Sequence, residues 1–395
     1  MGKLSKWILN LLNKFTGGIQ VQVSINPKVN QIVESFYRKN YEIIPTPNLD
    51  NIRLLKKDKY KKAIYFGSNK KIRTCRFCGK SEPTVTFRKK AHVFPESIGN
   101  KILFSNYECD FCNEFFGNGI ENEYGNFFQF YHTLSGISGK RGIPKLKSSH
   151  GQLDLQGNFI PDFEMFWHTD ETGHKYFNVI NNIPLEKLES SSKTITIEEK
   201  IPTFRPISVF KAITKMAITV LPFHELNLFK NTITWLLETE QRNIYKSKKL
   251  LVRHVMIPGF NVPKYPHFII YKRKKTCWNY PYMLFNLTYG LFSLLIEIPR
   301  DNSNTQYDFH DIPFPYIPFF TSSEGYWDLS DHLPKDYYTH SVNLTYGEKY
   351  EITKSVTMGY EKGKRKISVP SNILGSIINM GEIKYKKVYQ KYSAK

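Results

Sequence analysis

Four cysteines form two C-x-x-C pairs, Cys75 with Cys78 and Cys109 with Cys112. Such a turn brings two thiolates close enough to share one metal ion, and two turns supply the four ligands of a closed tetrahedral zinc site. The alternatives are two disulfides or four unrelated thiols. Because the chain has only one further cysteine, Cys277, its cysteine usage is typical of a reducing compartment, where disulfides are rare. The spacing therefore predicts one structural Zn2+ bound by the two pairs.

A histidine stands between the cysteine pairs, in a stretch marked by turn residues. His92 follows a basic, strand-like run and precedes Val-Phe-Pro, Gly99-Asn100 predicts a turn, and the second cysteine pair continues directly into Asn113. A neutral imidazole, with an ordinary pKa near 6.5, can take a proton at cellular pH. The stretch therefore combines a candidate general base with a structural metal site.

The order and spacing of these pieces resemble the HNH (ββα-metal) endonucleases, in the subgroup whose hairpin and helix are held together by a four-cysteine zinc. The family pattern is a C-x-x-C pair, a hairpin ending in His-hydrophobic-hydrophobic-Pro, a Gly-Gly or Gly-Asn turn, and a C-x-x-C-Asn segment entering a helix. Here the matching pieces are the two cysteine pairs, His92 with Pro95, Gly99-Asn100 and Asn113. The match covers roughly 50 to 65 residues of the chain.

The resemblance implies a role for each matching residue. His92 would be the general base that takes a proton from the attacking water, and Asn100 would orient its ring. Asn113 matches the usual ligand of one catalytic Mg2+ or Mn2+, which stabilises the charge on the scissile phosphate and the leaving oxygen. Glu121, two helical turns beyond Asn113 on a similar face, is a further candidate beside that cation.

The residue before His92 departs from the family pattern. The family usually has Asp, Glu or His there as a metal ligand, whereas this chain has Ala91, which binds no metal. Glu96, Glu114 or Glu121 could supply the missing ligand. Alternatively, the chain is a non-catalytic, zinc-dependent nucleic-acid-binding module. A third alternative is a nuclease that stays silent until a ligand or protein partner binds its C-terminal region.

The charge of the chain indicates a polyanionic partner. The formal net charge is +21, which favours nucleic acid over a membrane surface, although a lysine-rich solvated surface is the plainer explanation. Residues 53–90 contain 14 Lys or Arg against Asp58 and Glu82 and lead directly to His92. Tyr60, Tyr65 and Phe66 within this run could stack on bases or pack internally. We expect DNA as the partner, with RNA left open.

Length and composition predict a folded, multi-domain α+β protein. The chain has 395 residues, of which 41% are hydrophobic, enough for a sizeable core. We expect an N-terminal helical and basic segment at residues 1–65, the HNH module at 66–140 and a mixed accessory region at 141–395. The accessory region would serve recognition, regulation or oligomerisation, so a homo-oligomer stays open. Family members of this layout are found in restriction and other phage-defence systems.

The pattern of apolar residues places the remaining elements. An amphipathic helix at residues 3–15 could pack on the protein, lie on a membrane or form a dimer contact. It is too short and too charged to span a bilayer, and we expect a soluble, cytoplasmic protein. The other predicted helices are 27–39, 206–221 and 224–240, and the predicted strands are 19–25, 152–167 (with turns), 175–180, 193–198, 250–258, 267–272, 282–287 and 291–297.

Overall fold

A computed structural model describes residues 27–44, 63–67, 72–134, 136–148, 152–153, 159–160, 163–169, 175–181, 194–200, 202–245, 248–256, 266–290, 292–300, 309, 312–315, 340–359 and 385–387. The α-helices are α1 (Pro27–Asn40), α2 (Asp110–Asn118), α3 (Ile120–Leu134), α4 (Pro206–Val220) and α5 (Lys230–Leu237). Short 3-10 helices span Glu96–Ile98 and Phe223–Phe229. The strands are β1 (Tyr41–Ile43), β2 (Ile64–Phe66), β3 (Ala91–His92), β4 (Leu103–Ser105), β5 (Leu146–Ser148), β6 (Gln152–Leu153), β7 (Phe159–Ile160), β8 (Phe163–Thr169), β9 (Lys175–Asn181), β10 (Thr194–Lys200), β11 (Leu251–Met256), β12 (His267–Arg273), β13 (Met283–Tyr289), β14 (Phe292–Glu297), β15 (His340–Asn343), β16 (Tyr350–Gly359) and β17 (Tyr385–Lys387).

The largest sheet is antiparallel and has the strand order β1-β12-β13-β14-β11-β15. Its central strands β13 and β14 are rich in aromatic and branched residues and are buried along nearly their whole length, as expected for strands covered on both faces. Three smaller antiparallel groups, β5-β8-β9, β10-β16-β17 and β6-β7, lie elsewhere in the region after residue 140.

Helix α4 is the most deeply buried helix of the described structure. All fifteen of its residues are buried, which fits a helix that is apolar around its whole circumference. Pro206 occupies the first helical turn, where its fixed φ favours helix initiation and its missing N–H costs nothing. Because α4 is enclosed, its two lysines, Lys211 and Lys215, are buried as well and must find partners inside the protein.

One continuous hydrophobic core joins the cysteine-containing stretch to the large sheet. The Phe94 ring packs edge-on to Phe268 of β12, with ring centroids 5.3 Å apart. The Phe128 ring of α3 lies 6.4 Å from Phe292 of β14. The α2–α3 region and the six-stranded sheet therefore pack directly on each other.

A small three-stranded sheet, β2-β4-β3, carries the predicted histidine. Strand β2 runs parallel to β4, and β3 runs antiparallel to it. The turn between β3 and β4 closes through Gly99, which has a φ of 84°, a left-handed value that glycine adopts without steric cost. The predicted Gly99-Asn100 turn therefore has the conformation that its sequence favours.

The structure confirms the α+β class and corrects one predicted helix. The predicted helices 27–39 and 206–221 correspond to α1 and α4. The single helix predicted for 224–240 is wrong, because a 3-10 helix precedes α5 there. Leu226 and Phe229 are buried three residues apart, a spacing that matches the three-residue period of a 3-10 helix. The predicted helix at 3–15 and the strand at 19–25 lie outside the described residues.

Candidate functional site

The four cysteines meet in one cluster. Their sulfur atoms all lie within 4.8 Å of one another, and the Sγ atoms of Cys78 and Cys109 are 3.8 Å apart. Sulfurs bound tetrahedrally at about 2.3 Å from a zinc ion are separated by about 3.8 Å, so the spacing fits a shared metal. Each cysteine is a free thiol, which excludes the disulfide alternative in this structure.

The electrostatics of the cluster also fit a bound cation. A hydrogen bond from the Cys112 thiol, together with backbone donors, lowers the pKa of Cys75 to about 5. Burial raises the pKa of Cys109 to about 11, and the hydrogen bond to Cys75 and burial raise that of Cys112 still further. Four thiolates this close cannot all be ionised unless a positive ion compensates their charge.

Two acidic side chains fix the loops around the cluster. Asp110, at the start of α2, accepts hydrogen bonds from the Thr86 hydroxyl (2.6 Å) and from the backbone amides of Arg88 (3.0 Å) and Lys89 (2.8 Å). Glu82 accepts from the guanidinium of Arg73 at 2.9 Å. These contacts hold the segment before β3 against α2.

His92 lies on β3, with its side chain half-buried. Its Nε2 atom is 4.0 Å from Glu96 Oε2. Its Nδ1 atom is buried without a well-aligned hydrogen bond among the described residues. Burial lowers the pKa of His92, against the opposing effects of Glu96, Glu121 and the backbone carbonyl of Asn100. The ring is therefore biased towards the neutral form that can accept a proton.

Asn100 is completely buried and binds the backbone of its own turn. Its Nδ2 donates to the carbonyls of Phe94 (2.8 Å) and Leu103 (2.9 Å), and its Oδ1 accepts from the amides of Ile102 (3.3 Å) and Leu103 (2.9 Å). The side chain thus shapes the turn between β3 and β4, whereas the backbone carbonyl of Asn100 raises the pKa of His92.

Asn113 and Glu121 lie on different helices. Asn113 is the fourth residue of α2, whose N-cap is Cys109. Helix α2 ends at Gly119, whose φ of −101° and ψ of −103° are not helical, before α3 begins. Asn113 and Glu121 therefore do not share one helical face, in contrast to the prediction from sequence. Glu121 is nevertheless close enough to His92 to raise the pKa of the imidazole.

A buried lysine that sequence analysis missed connects this site to α4. The Nζ of Lys215 lies 2.9 Å from Glu121 Oε1 and 3.0 Å from Glu108 Oε2, and it is almost completely buried. Burial raises the pKa of Glu108 to about 7. Burial lowers the pKa of Lys215, but the two carboxylates outweigh it and raise the pKa above its usual value. The signal in the sequence was two lysines on an otherwise apolar helix.

A second, partly buried cation, Arg76, docks the first cysteine pair on α4. Arg76 Nη1 donates to the carbonyls of Ile218 (2.6 Å), Thr219 (2.9 Å) and Leu221 (2.8 Å), and its guanidinium lies over the Tyr107 ring. Carbonyls at a helix C-terminus lack intrahelical partners, and a cation satisfies both their lone pairs and the helix dipole. Arg76 is therefore committed to the interior of the protein.

The basic stretch therefore divides into internal and exposed charges. Arg73 and Arg76 bind within the protein, whereas Arg88, Lys89 and Lys90 are exposed immediately before His92. Lys89 forms an exposed ion pair with Glu114 at 2.7 Å. Such exposed charges can contact a polyanion without losing internal structure.

Beyond the cysteine cluster, the described residues hold no other group of three His, Cys, Asp or Glu ligand atoms. The carboxylate of Glu121 forms an ion pair with Lys215, and that of Glu114 forms one with Lys89. Mg2+ is commonly bound by one or two protein groups, with water and substrate phosphate completing its shell. Asn113 and Glu121 have the oxygen donors that such a site needs, but they lie on separate helices, and Glu121 is already paired with Lys215. Within the described residues, no helix combines the length and apolar character that crossing a membrane requires.

Comparison with known proteins identifies one stretch of the chain. No curated protein and no solved structure matches the chain. Residues 75–129 match the family model described as HNH endonuclease. The match begins at the first cysteine of the cluster and includes His92, Asn100, Asn113 and Glu121. The chain therefore carries a segment at residues 75–129 that matches the HNH endonuclease family, and nucleic acid is the substrate class that this family implies.

Proposed function

We propose that this protein is a metal-dependent endonuclease that hydrolyses DNA phosphodiester bonds with His92 as the general base. The observation that carries the proposal is the environment of His92. The ring lies on β3 ahead of the β3–β4 turn, is partly desolvated, and has a lowered pKa. Exposed basic residues 88–90 precede it in the chain and supply the positive charge that a phosphate backbone requires.

The reaction follows from the position of the ring. A water oxygen attacks phosphorus and transfers a proton to Nε2 of His92, and the bond between phosphorus and the leaving sugar oxygen breaks. The backbone carbonyl of Asn100 acts on the ring; the proposal assigns the proton of the neutral ring to the buried Nδ1, which leaves Nε2 free to accept one. Asn100 thus orients the base through its backbone, and its side chain fixes the turn that holds this carbonyl.

Two metal ions have separate roles in the proposal. Zn2+ on Cys75, Cys78, Cys109 and Cys112 is structural, because the four thiolates leave no open coordination position. Asn113 and Glu121 would hold a catalytic Mg2+ or Mn2+, which supplies Lewis-acid stabilisation of the phosphate and leaving-oxygen charge. Glu121 would compensate for Ala91.

We also propose separate roles for two parts of the chain. Residues 66–140 would form the catalytic module and residues 141–395 the accessory region for target recognition, regulation or oligomerisation. Free thiols in the cysteine cluster support a reducing, cytoplasmic compartment. Restriction or another form of phage defence would use such a nuclease.

The test is the nicking of supercoiled plasmid DNA by the wild type and by His92→Ala, with Mg2+, with Mn2+ or with neither. We expect the wild type to nick only with a cation, and the variant to lose nicking while keeping its zinc content. A variant that nicks as fast as the wild type would overturn the role of His92.

A non-catalytic, zinc-dependent nucleic-acid-binding module is the second candidate. The observation in its favour is Ala91, which is 1% exposed and faces the core, so the ligand usual at that position is missing. If neither protein nicks but both retain zinc and bind DNA, this candidate or a nuclease gated by its accessory region is correct. Screening nucleotides and cell extracts for restored nicking would separate these two.

A further inference from the structure

The two faces of the small sheet β2-β4-β3 carry different side chains. Cross-strand pairing joins Tyr65 to Phe104 and Phe104 to His92, so these three residues lie on one face. The other face carries Phe66, Leu103 and Ala91, which are buried in the core. The first face therefore holds a row of three rings that ends at the proposed general base.

The rings in this row touch one another. The centroids of Tyr65 and Phe104 are 5.5 Å apart with an interplanar angle of 32°, and the centroids of Phe104 and His92 are 4.7 Å apart. Phe104 is 7% exposed, whereas Tyr65 is 39% exposed. Phe104 thus supports the row from within, and Tyr65 presents it to solvent.

The position of Tyr65 is fixed by the backbone around it. The amide of Ile64 donates to the Ile102 carbonyl at 2.8 Å, and the amide of Asn106 donates to the Phe66 carbonyl at 2.8 Å. Gly67 ends the strand with a φ of 101°, and a Cβ there would lie 2.6 Å from the Tyr107 ring. Glycine adopts this left-handed turn without strain, and the two backbone hydrogen bonds hold β2 and its tyrosine at the edge of the sheet.

Positive charge accompanies the row. The Lys90 Nζ lies 5.8 Å from the centroid of the Phe104 ring, and Arg88 and Lys89 are exposed nearby in sequence. Rings next to cations bind single-stranded nucleic acid, because unpaired bases stack on the rings while the cations contact the phosphates. In a duplex the base faces are already stacked and cannot reach a side chain without being flipped out.

We propose that Tyr65 forms a stacking subsite for one unpaired nucleobase next to the scissile phosphate, and that the protein therefore prefers single-stranded nucleic acid. The proposal rests on the proposed function and specifies its substrate. Residue 65 lies outside the segment that matches the family model, so the proposal rests on the structure of this chain and not on that match.

The test measures binding, not cleavage. Fluorescein-labelled oligothymidylate, oligouridylate and a DNA duplex of equal length are titrated with protein in the absence of added divalent cation, and affinity is read from fluorescence anisotropy. Tyr65→Leu removes the ring, Tyr65→Phe keeps it, and Trp278→Leu removes an aromatic side chain that is 61% exposed elsewhere. Zinc content and thermal melting verify that each variant is folded.

We expect the wild type to bind single strands more tightly than the duplex. Tyr65→Leu should weaken single-strand binding by about fivefold or more, the loss that one base–aromatic stack predicts, and leave duplex binding unchanged. Tyr65→Phe and Trp278→Leu should bind like the wild type. A 2-aminopurine base in the single strand should be quenched by the wild type and not by Tyr65→Leu. Comparing oligothymidylate with oligouridylate shows whether the base comes from DNA or RNA.

Three results would overturn the subsite: no preference for single strands, unchanged binding by Tyr65→Leu, or an equal loss for single strand and duplex. The outcome is independent of the nuclease test. A wild type that binds as expected but never nicks would refute hydrolysis by the protein alone and leave the subsite standing. A wild type that nicks while Tyr65→Leu binds normally would refute the subsite alone.

Discussion

At the scale of single residues, the surroundings of His92 decide the pH at which it can act. Burial lowers its pKa below the ordinary value near 6.5. A general base works only when unprotonated, so a lowered pKa extends activity towards acid. We expect the nicking rate to fall to half its plateau at a pH below 6.5, measured as a pH–rate profile at saturating cation.

Glu96 offers a matched test of this assignment. Its carboxylate, 4.0 Å from Nε2, raises the pKa of His92 and opposes the effect of burial. Glu96→Gln removes that charge, so the acidic limb should move further towards low pH while the plateau rate changes little. Glu114→Gln, which alters an exposed carboxylate paired with Lys89, should leave the limb in place. An acidic limb above 6.5, or one that Glu96→Gln moves upward, would contradict the mechanism.

Asn100 contributes to stability as well as to the site. Asn100→Ala leaves the Ile102 and Leu103 amides and the Phe94 carbonyl without their side-chain partner, while the Leu103 carbonyl keeps the Val93 amide. Each buried unpaired group costs about 1–3 kcal/mol. We expect a clear loss in the free energy of unfolding, measured in urea with zinc present. Asn122→Ala, at an exposed position of α3, is the control and should leave stability nearly unchanged. A variant as stable as the wild type would show that water replaces the side chain.

Motif spacing predicted the cysteine cluster but not the contacts around His92. A C-x-x-C turn fixes the distance between the two thiols of each pair, and two such pairs supply the four ligands of one metal site. The roles of His92 and Asn100 came from the resemblance to the family and stay predictions. The exact partners of Asn100 depend on backbone atoms of the turn, which a sequence pattern does not specify.

At the scale of elements, Asp110 joins helix α2 to the segment that leads to His92. Asp110→Ala removes the acceptor of the Arg88 and Lys89 amides and a favourable negative charge at the helix N-terminus. We expect these two amides to exchange with deuterium much faster in the variant, as measured by mass spectrometry of peptides covering residues 86–92. Nicking should weaken as well, because the loop before the base loses its anchor.

The control for this prediction is a carboxylate on the same helix. Glu114→Ala removes an exposed ion pair that solvent screens and that contributes little to stability, and it should not change exchange at Arg88 or Lys89. Equal protection in wild type and Asp110→Ala would mean that other contacts hold the loop.

Elements with strong periodicity were the easiest to predict. Helices α1 and α4 were found close to their observed bounds because their apolar residues repeat at helical spacing. The 3-10 helix Phe223–Phe229 was mistaken for part of an α-helix, since both place apolar residues three apart. Strand β2 has only three residues, too few for a period, so the aromatic row next to His92 appears only in the structure.

At the scale of the whole molecule, the sequence did not predict which residues far apart in the chain pack together. Residues 75–134 share their core with the large sheet, although local patterns suggested a boundary near residue 140. The cluster of Lys215, Glu108 and Glu121 links both sides of that boundary. No spacing rule connects a lysine on α4 to a glutamate beside Cys109, because only the packing of α4 brings them together.

That cluster predicts how strongly the two sides depend on each other. Lys215→Met removes the cation between Glu108 and Glu121, and leaving a buried carboxylate unpaired costs about 3–5 kcal/mol. We expect a loss of this order in the free energy of unfolding, measured in urea with zinc present. Lys230→Met, at an exposed position at the start of α5, is the matched control and should be near neutral.

A second substitution, Glu108→Gln, distinguishes the loss of the ion pair from the loss of side-chain packing. Glu108→Gln keeps the shape of the side chain but removes its charge, so the Lys215→Met/Glu108→Gln protein no longer buries an unpaired carboxylate. Glu121, whose side chain is 18% exposed, can then turn to water. The double variant should therefore be more stable than Lys215→Met alone, with a coupling energy of about 0.5–3 kcal/mol in the double-mutant cycle. Strictly additive losses would mean that Lys215 acts through packing alone, and that charge does not connect α4 to residues 75–129.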